Sequence, residues 1–305
     1  MKKLYIITLL TLAIWSGEIL AQQQVMFTQY MFNGTAINPA ITGTHGTLSF
    51  TALTRKQWVG IEGAPSTQTL AIHAPSRNEQ VGYGLLFMRD QIGIAKQHVV
   101  FGSYAYRIKM NNSVLSLGLQ FGFTDYRQNE NELNPNNFDN ALTDNLRSGM
   151  KPNFGWGAYY YGDKYYVGFS IPFLVNNFFN DDELTDQRAE LERHYFVMGG
   201  YVFDLSPSLK LRPNALLKIV GGAPVEVDLN ANLLIQEVVW VGVSYRSFDS
   251  IDLLLELQLN SNLRLGYSYD ITTSDLRRVN TGSHELMVNY RFTRKSKKIL
   301  SPRYF

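Results

Sequence analysis

Glu285-Leu286-Met287-Val288-Asn289-Tyr290-Arg291-Phe292 is the stretch that decides the fold. In an extended strand Leu286, Val288, Tyr290 and Phe292 point one way, while Glu285, Met287, Asn289 and Arg291 point the other. Upstream, Leu263, Leu265, Tyr267 and Tyr269 oppose Arg264, Gly266, Ser268 and Asp270. Further back, Val225, Val227, Leu229, Ala231 and Leu233 oppose Glu226, Asp228, Asn230 and Asn232. Each segment therefore has one apolar face and one wet, often charged face. A soluble sandwich buries the apolar face and gives the wet one to bulk water. An outer-membrane barrel gives the apolar face to lipid and the wet one to a lumen.

The connections separate these two architectures. Alternation and turn residues predict strands at 46–54, 66–73, 81–90, 97–109, 113–127, 153–161 and 165–171. They continue at 194–204, 209–219, 225–235, 239–246, 251–258, 263–270 and 283–292, about fourteen in all. The short links 110–112, 162–164, 205–208, 236–237 and 259–262 all fall at the end where a barrel would face the periplasm. The two longest, 128–152 and 172–193, both fall at the other end, and only 74–80 is long for a periplasmic turn. A sandwich has no reason to sort its loops this way. In lipid every backbone amide and carbonyl must pair internally, so the sheet has to close, and an even strand number returns the wall to its starting side. The expected fold is all-β, a transmembrane antiparallel β-barrel of about 14 strands.

Composition agrees and excludes other classes. Residues 1–21 combine Lys2 and Lys3 with an apolar run and a small residue at Ala21, which reads as a secretory signal peptide. The formal charge of +2 gives no basic stripe for nucleic acid, and with no cysteine there is neither a disulfide framework nor thiolate chemistry. His45, His73, His98, His194 and His284 are scattered without metal-ligand spacing, and no nucleophile elbow or phosphate-cradling loop is present. Asp181, Asp182 and Glu183 share the 172–193 loop ahead of His194, the one place where a rim hydrolase could be built, but 181–192 also reads as a short solvated helix. No catalytic residue, metal site or cofactor is expected.

Four segments follow: the signal peptide 1–21, an N-terminal periplasmic or lumenal segment 22–45, the barrel 46–292 and a basic periplasmic C-terminal tail 293–305. The N-terminal segment carries Met26, Phe27, Met31 and Phe32, which would be wasted in solvent, so it is expected to pack into the lumen or against the periplasmic mouth as a plug or docking element. The tail carries Arg294, Lys295, Lys297, Lys298 and Arg303 before an aromatic end. Inside the barrel, Lys210, Arg212 and Lys218 lie beside Glu226 and Asp228, and a turn at Gly221-Gly222 would set Lys218 opposite Glu226. Mixed charges of this kind suit a lumen crossed by a side-chain network, so a filled or narrow interior is expected. The other reading of the same residues is an open channel.

Gln29-Tyr30-Met31-Phe32-Asn33 and Asn38-Pro39-Ala40, then Arg55, Gln57-Trp58 and Gly63-Ala64-Pro65-Ser66-Thr67, then Pro302-Arg303-Tyr304-Phe305, together resemble the PorP/SprF family of Bacteroidetes outer-membrane proteins. The resemblance covers essentially the whole chain after the signal peptide. It implies a non-enzymatic component of type IX secretion and gliding motility, embedded in outer-membrane lipid. Its implied partners are a periplasmic peptidoglycan-associated lipoprotein, other secretion components and cargo with a C-terminal sorting domain. Gln29, Tyr30, Met31, Phe32, Asn33, Asn38, Pro39, Pro302, Arg303, Tyr304 and Phe305 are the expected partner-binding residues. The alternative function is a substrate-specific outer-membrane transporter or porin with a plugged lumen.

Overall fold

In the computed structural model, residues 24–129, 146–177 and 192–292 are described. The strands are β1 (Ser49–Lys56), β2 (Ser66–Pro75), β3 (Val81–Ile92), β4 (Ala95–Lys109), β5 (Val114–Gln128), β6 (Leu146–Tyr161), β7 (Tyr165–Ile171) and β8 (His194–Tyr201). The remainder are β9 (Phe203–Ser206), β10 (Leu209–Val220), β11 (Glu226–Ile235), β12 (Val239–Arg246), β13 (Ser250–Gln258), β14 (Leu263–Thr272) and β15 (Ser283–Arg291). All fifteen belong to one antiparallel sheet in which strands pair with their sequence neighbours, except that β8 pairs with β10 and not with β9. β9 continues the line of β8 across Val202, and both pair with β10, so the wall has 15 − 1 = 14 staves. The predicted single strand at 194–204 is thus present with an interruption.

Closure is made by β1 against β15, in register from Ser49↔Arg291 to Lys56↔His284. The cylinder is inside out relative to a soluble protein. Leu119 is 64% exposed and Leu229 53%, whereas Asp252 and Glu285 are 0% exposed. A face so apolar and so large needs hydrocarbon as its solvent, since soluble monomers rarely expose more than a few hundred Å² of contiguous apolar surface. β1 begins and β15 ends at the rim where every link is short, five residues at most, while the long links lie at the other, which makes the first rim periplasmic and the opposite one the cell-surface rim.

The wall is uneven in height. β3 to β6 have 12, 15, 15 and 16 residues, against 7 and 8 for β7 and β8. The excess lies at the cell-surface end, where β6 starts at Leu146 rather than at 153 as predicted. β5 pairs with it out to Gln128↔Leu146 through a shift at Tyr126/Arg127. Gly149 takes φ +66 next to that shift, a backbone state open to glycine at little cost.

Candidate functional site, a lumen filled by the N-terminal segment

The lumen is occupied by residues 24–47, which cross it from the cell-surface end to the periplasmic end. Gln24 N donates to His194 Nε2 at 3.2 Å, where β8 leaves the outer rim. Four residues on, Thr28 and Gln29 meet the wall at a buried ionic cluster. Thr28 N donates to Glu285 Oε2 at 3.0 Å and Gln29 N donates to Glu285 Oε1 at 2.8 Å, so one carboxylate caps two successive amides. The Thr28 hydroxyl donates to Asp270 at 2.9 Å and accepts from Arg55 Nη1 at 2.8 Å. Arg55 in turn lies 2.7 Å from Asp270 and 3.3 Å from Glu285, with side chains 1%, 2% and 0% exposed. Charges this deep persist only when paired and hydrogen-bonded, and here each partner supplies both.

Below this cluster the chain turns back on itself, with Gln29 O accepting from the amides of Phe32 and Asn33. Phe32 packs edge-on to Trp240 at 6.3 Å between centroids. The Arg212 guanidinium stacks on both rings, 4.6 Å and 4.2 Å from the centroids. Two 3-10 turns follow, Gly34–Ala36 and Pro39–Ile41. Proline restricts the residue before it to extended backbone. Asn38 has φ −133 and ψ 112, and its side chain caps Ala40 N at 2.9 Å. The Asn38 amide also reaches the carbonyls of Ala158 at 3.1 Å and Phe169 at 3.3 Å. Ser170 and Ser116 donate to the Ile37 and Ala40 carbonyls at 2.9 Å and 2.6 Å. At the periplasmic end Gly43 N donates to His73 Nδ1 at 3.0 Å, and Arg107 Nη1 donates to Gly43 O at 2.6 Å.

Close approach needs bare wall. A Cβ at Gly118 would collide with the backbone of Pro39 and Ala40, and one at Gly82 with the Thr42 carbonyl. A void lined by Tyr30, Phe32, His45, His73, Tyr159 and Tyr166 measures about 20 Å³, room for about one water. From the outer side Phe173 folds inward onto Phe101, 5.2 Å between centroids, and Gln120 Nε2 donates to Pro172 O at 2.9 Å.

The structure divides the expected residues. Lys218 and Glu226 are register partners with Nζ 2.8 Å from Oε2, and Asp228 sits 3.0 Å from Arg246, which also lies 3.4 Å from Asp249. Arg212 stays apart from these, stacked on the plug, and Lys210 lies at the periplasmic rim with Glu237 at 3.3 Å. Gln29, Tyr30, Phe32, Asn33, Asn38 and Pro39 are buried against the wall and Met31 is half-buried. The segment was expected in the lumen or against the periplasmic mouth; it lies in the lumen, with its Gly43 end held at the periplasmic side. Its N-terminal half lies toward the cell-surface end, because Glu285, which takes the Thr28 and Gln29 amides, and Asp270, which takes the Thr28 hydroxyl, sit in the outer halves of β15 and β14. Pro302, Arg303, Tyr304 and Phe305 lie outside the described residues, as do Asp181, Asp182 and Glu183. Both nitrogens of His194 meet backbone groups, Nε2 with Gln24 N and Nδ1 with Glu192 O at 2.9 Å. Among the described residues no group of His, Asp or Glu could hold a metal ion. Arg55 was missed as a lumenal residue because the first strand was ended at 54; continuing the Thr51, Leu53 alternation by one step places it inside.

The family described as type IX secretion system membrane protein PorP/SprF matches residues 19–290. None of the curated proteins matches the chain. Among solved structures, the CymD monoaromatic hydrocarbon channel superposes with a TM-score of 0.50 at 12% identity, over 86% of this chain and 93% of its own. The Acinetobacter baumannii outer membrane protein Omp33 gives 0.48 at 9% identity, over 81% and 99%. A Pseudomonas aeruginosa FadL homologue gives 0.46 at 12% identity, over 81% and 89%. Likeness at such identity speaks for the fold alone. With the family match running through the plug and nearly the entire wall, the chain belongs to the PorP/SprF family of type IX secretion system membrane proteins and is an outer-membrane β-barrel.

Proposed function

We propose that the protein is a non-enzymatic platform of the type IX secretion and gliding apparatus. The barrel is a fixed body in the membrane. A periplasmic lipoprotein and other secretion components engage it from below through the basic tail ending Pro302-Arg303-Tyr304-Phe305, and secreted or surface-attached cargo engages it from above. One observation carries this reading over that of a transporter whose plug moves aside. The plug is cross-braced to β2, β4, β5, β6, β7, β14 and β15 along its length, and the void beside it at Tyr30, His73 and Tyr166 is about 20 Å³. Moving it would break several buried hydrogen bonds at once, each costing roughly 1–3 kcal/mol when left unmade.

The experiment has two arms. Intact protein in planar bilayers stays nearly silent, and a large steady conductance would instead favour the transporter. Deleting residues 296–305 lowers co-purification of a periplasmic lipoprotein from native membranes while the barrel still inserts; unchanged recovery removes the tail from the proposal.

A further inference from the structure

The exterior of the tall β3 to β6 wall is ordered in rows. Register alignment sets Tyr83, Tyr104, Leu119 and Trp156 in one row across the four strands, then Leu85, Gly102, Phe121 and Phe154, then Phe87, Val100, Phe123 and Pro152. Those three rows are apolar. Toward the cell-surface end the next row is Arg89, His98, Asp125 and Met150, followed by Gln91, Lys96, Arg127 and Arg147. Arg89, Arg127 and Arg147 are exposed, and Lys96 and His98 are half-buried. Asp125 is the one carboxylate in these rows, and it pairs with Arg127 at 2.6 Å. Four cations and one anion thus sit directly above a hydrocarbon-facing band, at the level of the lipid headgroups.

The apolar rows below carry a depression of their own. Gly102 presents no side chain, and a groove of about 790 Å³ runs over it between Leu85, Tyr104, Leu119, Phe121 and Phe154. A Cβ built on Gly102 points into open space, with nothing closer than the Phe121 carbonyl at 3.8 Å. Arg89 is four residues above Leu85 on β3, about 13 Å at strand rise, a separation that one acyl chain spans.

We propose that this face binds a phosphate-bearing, multiply acylated lipid of the outer leaflet, with its phosphates on Arg89, Lys96, Arg127 and Arg147 and an acyl chain in the groove over Gly102. Basic residues beside a membrane attract anionic headgroups, each giving about a five-fold preference near the surface. A free phosphate ion would use the cations and leave the groove unfilled; a neutral lipid would do the reverse. Only an anionic amphiphile uses both. The inference rests on the barrel's orientation and is independent of the platform role.

Detergent-purified full-length protein is mixed with bisphosphorylated lipid A, its dephosphorylated form, or inorganic phosphate, and bound lipid is counted by native mass spectrometry. The wild-type chain retains the bisphosphorylated lipid. R89Q/K96Q/R127Q/R147Q lowers that retention about ten-fold or more, to the level of the dephosphorylated lipid, and G102L lowers retention of both lipids. R77Q/K109Q, which removes two exposed cations at the periplasmic rim, changes nothing. Folding is checked by heat-modifiable gel migration, and R89Q/R147Q gives an intermediate loss if the quadruple variant does not fold. Equal retention by the wild-type and cation variants overturns the proposal, as does full competition by inorganic phosphate. Equal loss in R77Q/K109Q means annular lipid only, and overturns it too.

Discussion

Replacing Arg55 with alanine strikes the outer anchor of the plug and the closure of the wall together. The guanidinium sits 2.7 Å from Asp270 and 3.3 Å from Glu285, and no side chain of the three is more than 2% exposed. Removing one partner of a buried ion pair strands the other charge in a medium that cannot solvate it, at a cost of about 3–5 kcal/mol. Here two carboxylates are stranded, and the Thr28 hydroxyl loses the donor it had at 2.8 Å. Against that, Asp270 and Glu285 keep the Thr28 hydroxyl and the Thr28 and Gln29 amides, which leaves the middle of the range as the expectation. R55A should therefore destabilise the barrel by about 4 kcal/mol, roughly three orders of magnitude in the unfolding constant.

The assay is urea unfolding in lipid vesicles, followed by tryptophan fluorescence, with R55M/D270N/E285Q in parallel. The triple variant removes all three charges and should regain more than half of the loss, because most of the penalty is unpaired charge rather than lost attraction. It should not regain everything. A glutamine at 285 has one acceptor oxygen, whereas the carboxylate serves two amides, so one of Thr28 N and Gln29 N goes unserved at about 1–3 kcal/mol. An R55A loss under 1 kcal/mol, or a triple variant as unstable as R55A, would refute the reasoning.

Two further perturbations address the middle and the inner end of the plug. G118V places a branched side chain where Pro39 and Ala40 now lie, and should either block assembly or unseat the plug, read as loss of heat-modifiable protein or a rise in conductance. R212M keeps the bulk but removes the cation stacked on Phe32 and Trp240, and should cost about 2 kcal/mol in the same urea titration while leaving insertion intact.

The wall was legible because period-two alternation is a local signal that survives along every strand. β7 and β12 fall at the predicted residues, and Leu286, Val288 and Tyr290 face out as the opening stretch implies. Where the prediction stopped the first strand early, at 54, and started the sixth late, at 153, the pairing partner extended them: β15 carries β1 to Lys56, and β5 carries β6 out to Leu146. Part of the plug was legible too, since Asn38-Pro39 dictates an extended residue and then a turn. Its direction was not. The contacts that orient it join Thr28 to Glu285 and Asn38 to Ala158, 257 and 120 residues apart, and nothing in the local pattern of 24–47 records which carboxylate will receive which amide. Gly82 and Gly118 read in the sequence only as gaps in an alternating face.

The position of the ionic cluster bears on how the barrel is completed. Arg55 belongs to β1, Asp270 to β14 and Glu285 to β15, so the cluster spans the seam where the first and last strands meet. Until β15 arrives, Arg55 and the carboxylates lack one another, and Thr28 lacks both. A plug arriving after closure would have to thread a closed lumen before Gly43 could reach Arg107 and His73 at the periplasmic end. A plug seated first leaves Thr28 and Gln29 ready to meet Glu285 as β15 zips onto β1. Contacts of such sequence separation form late, because the loop entropy is spent before they return anything. Closing the wall and locking the plug thus draw on the same contacts. A variant such as R55A, which weakens the lock, should for that reason slow the appearance of the heat-modifiable form during refolding as well as lowering its final stability.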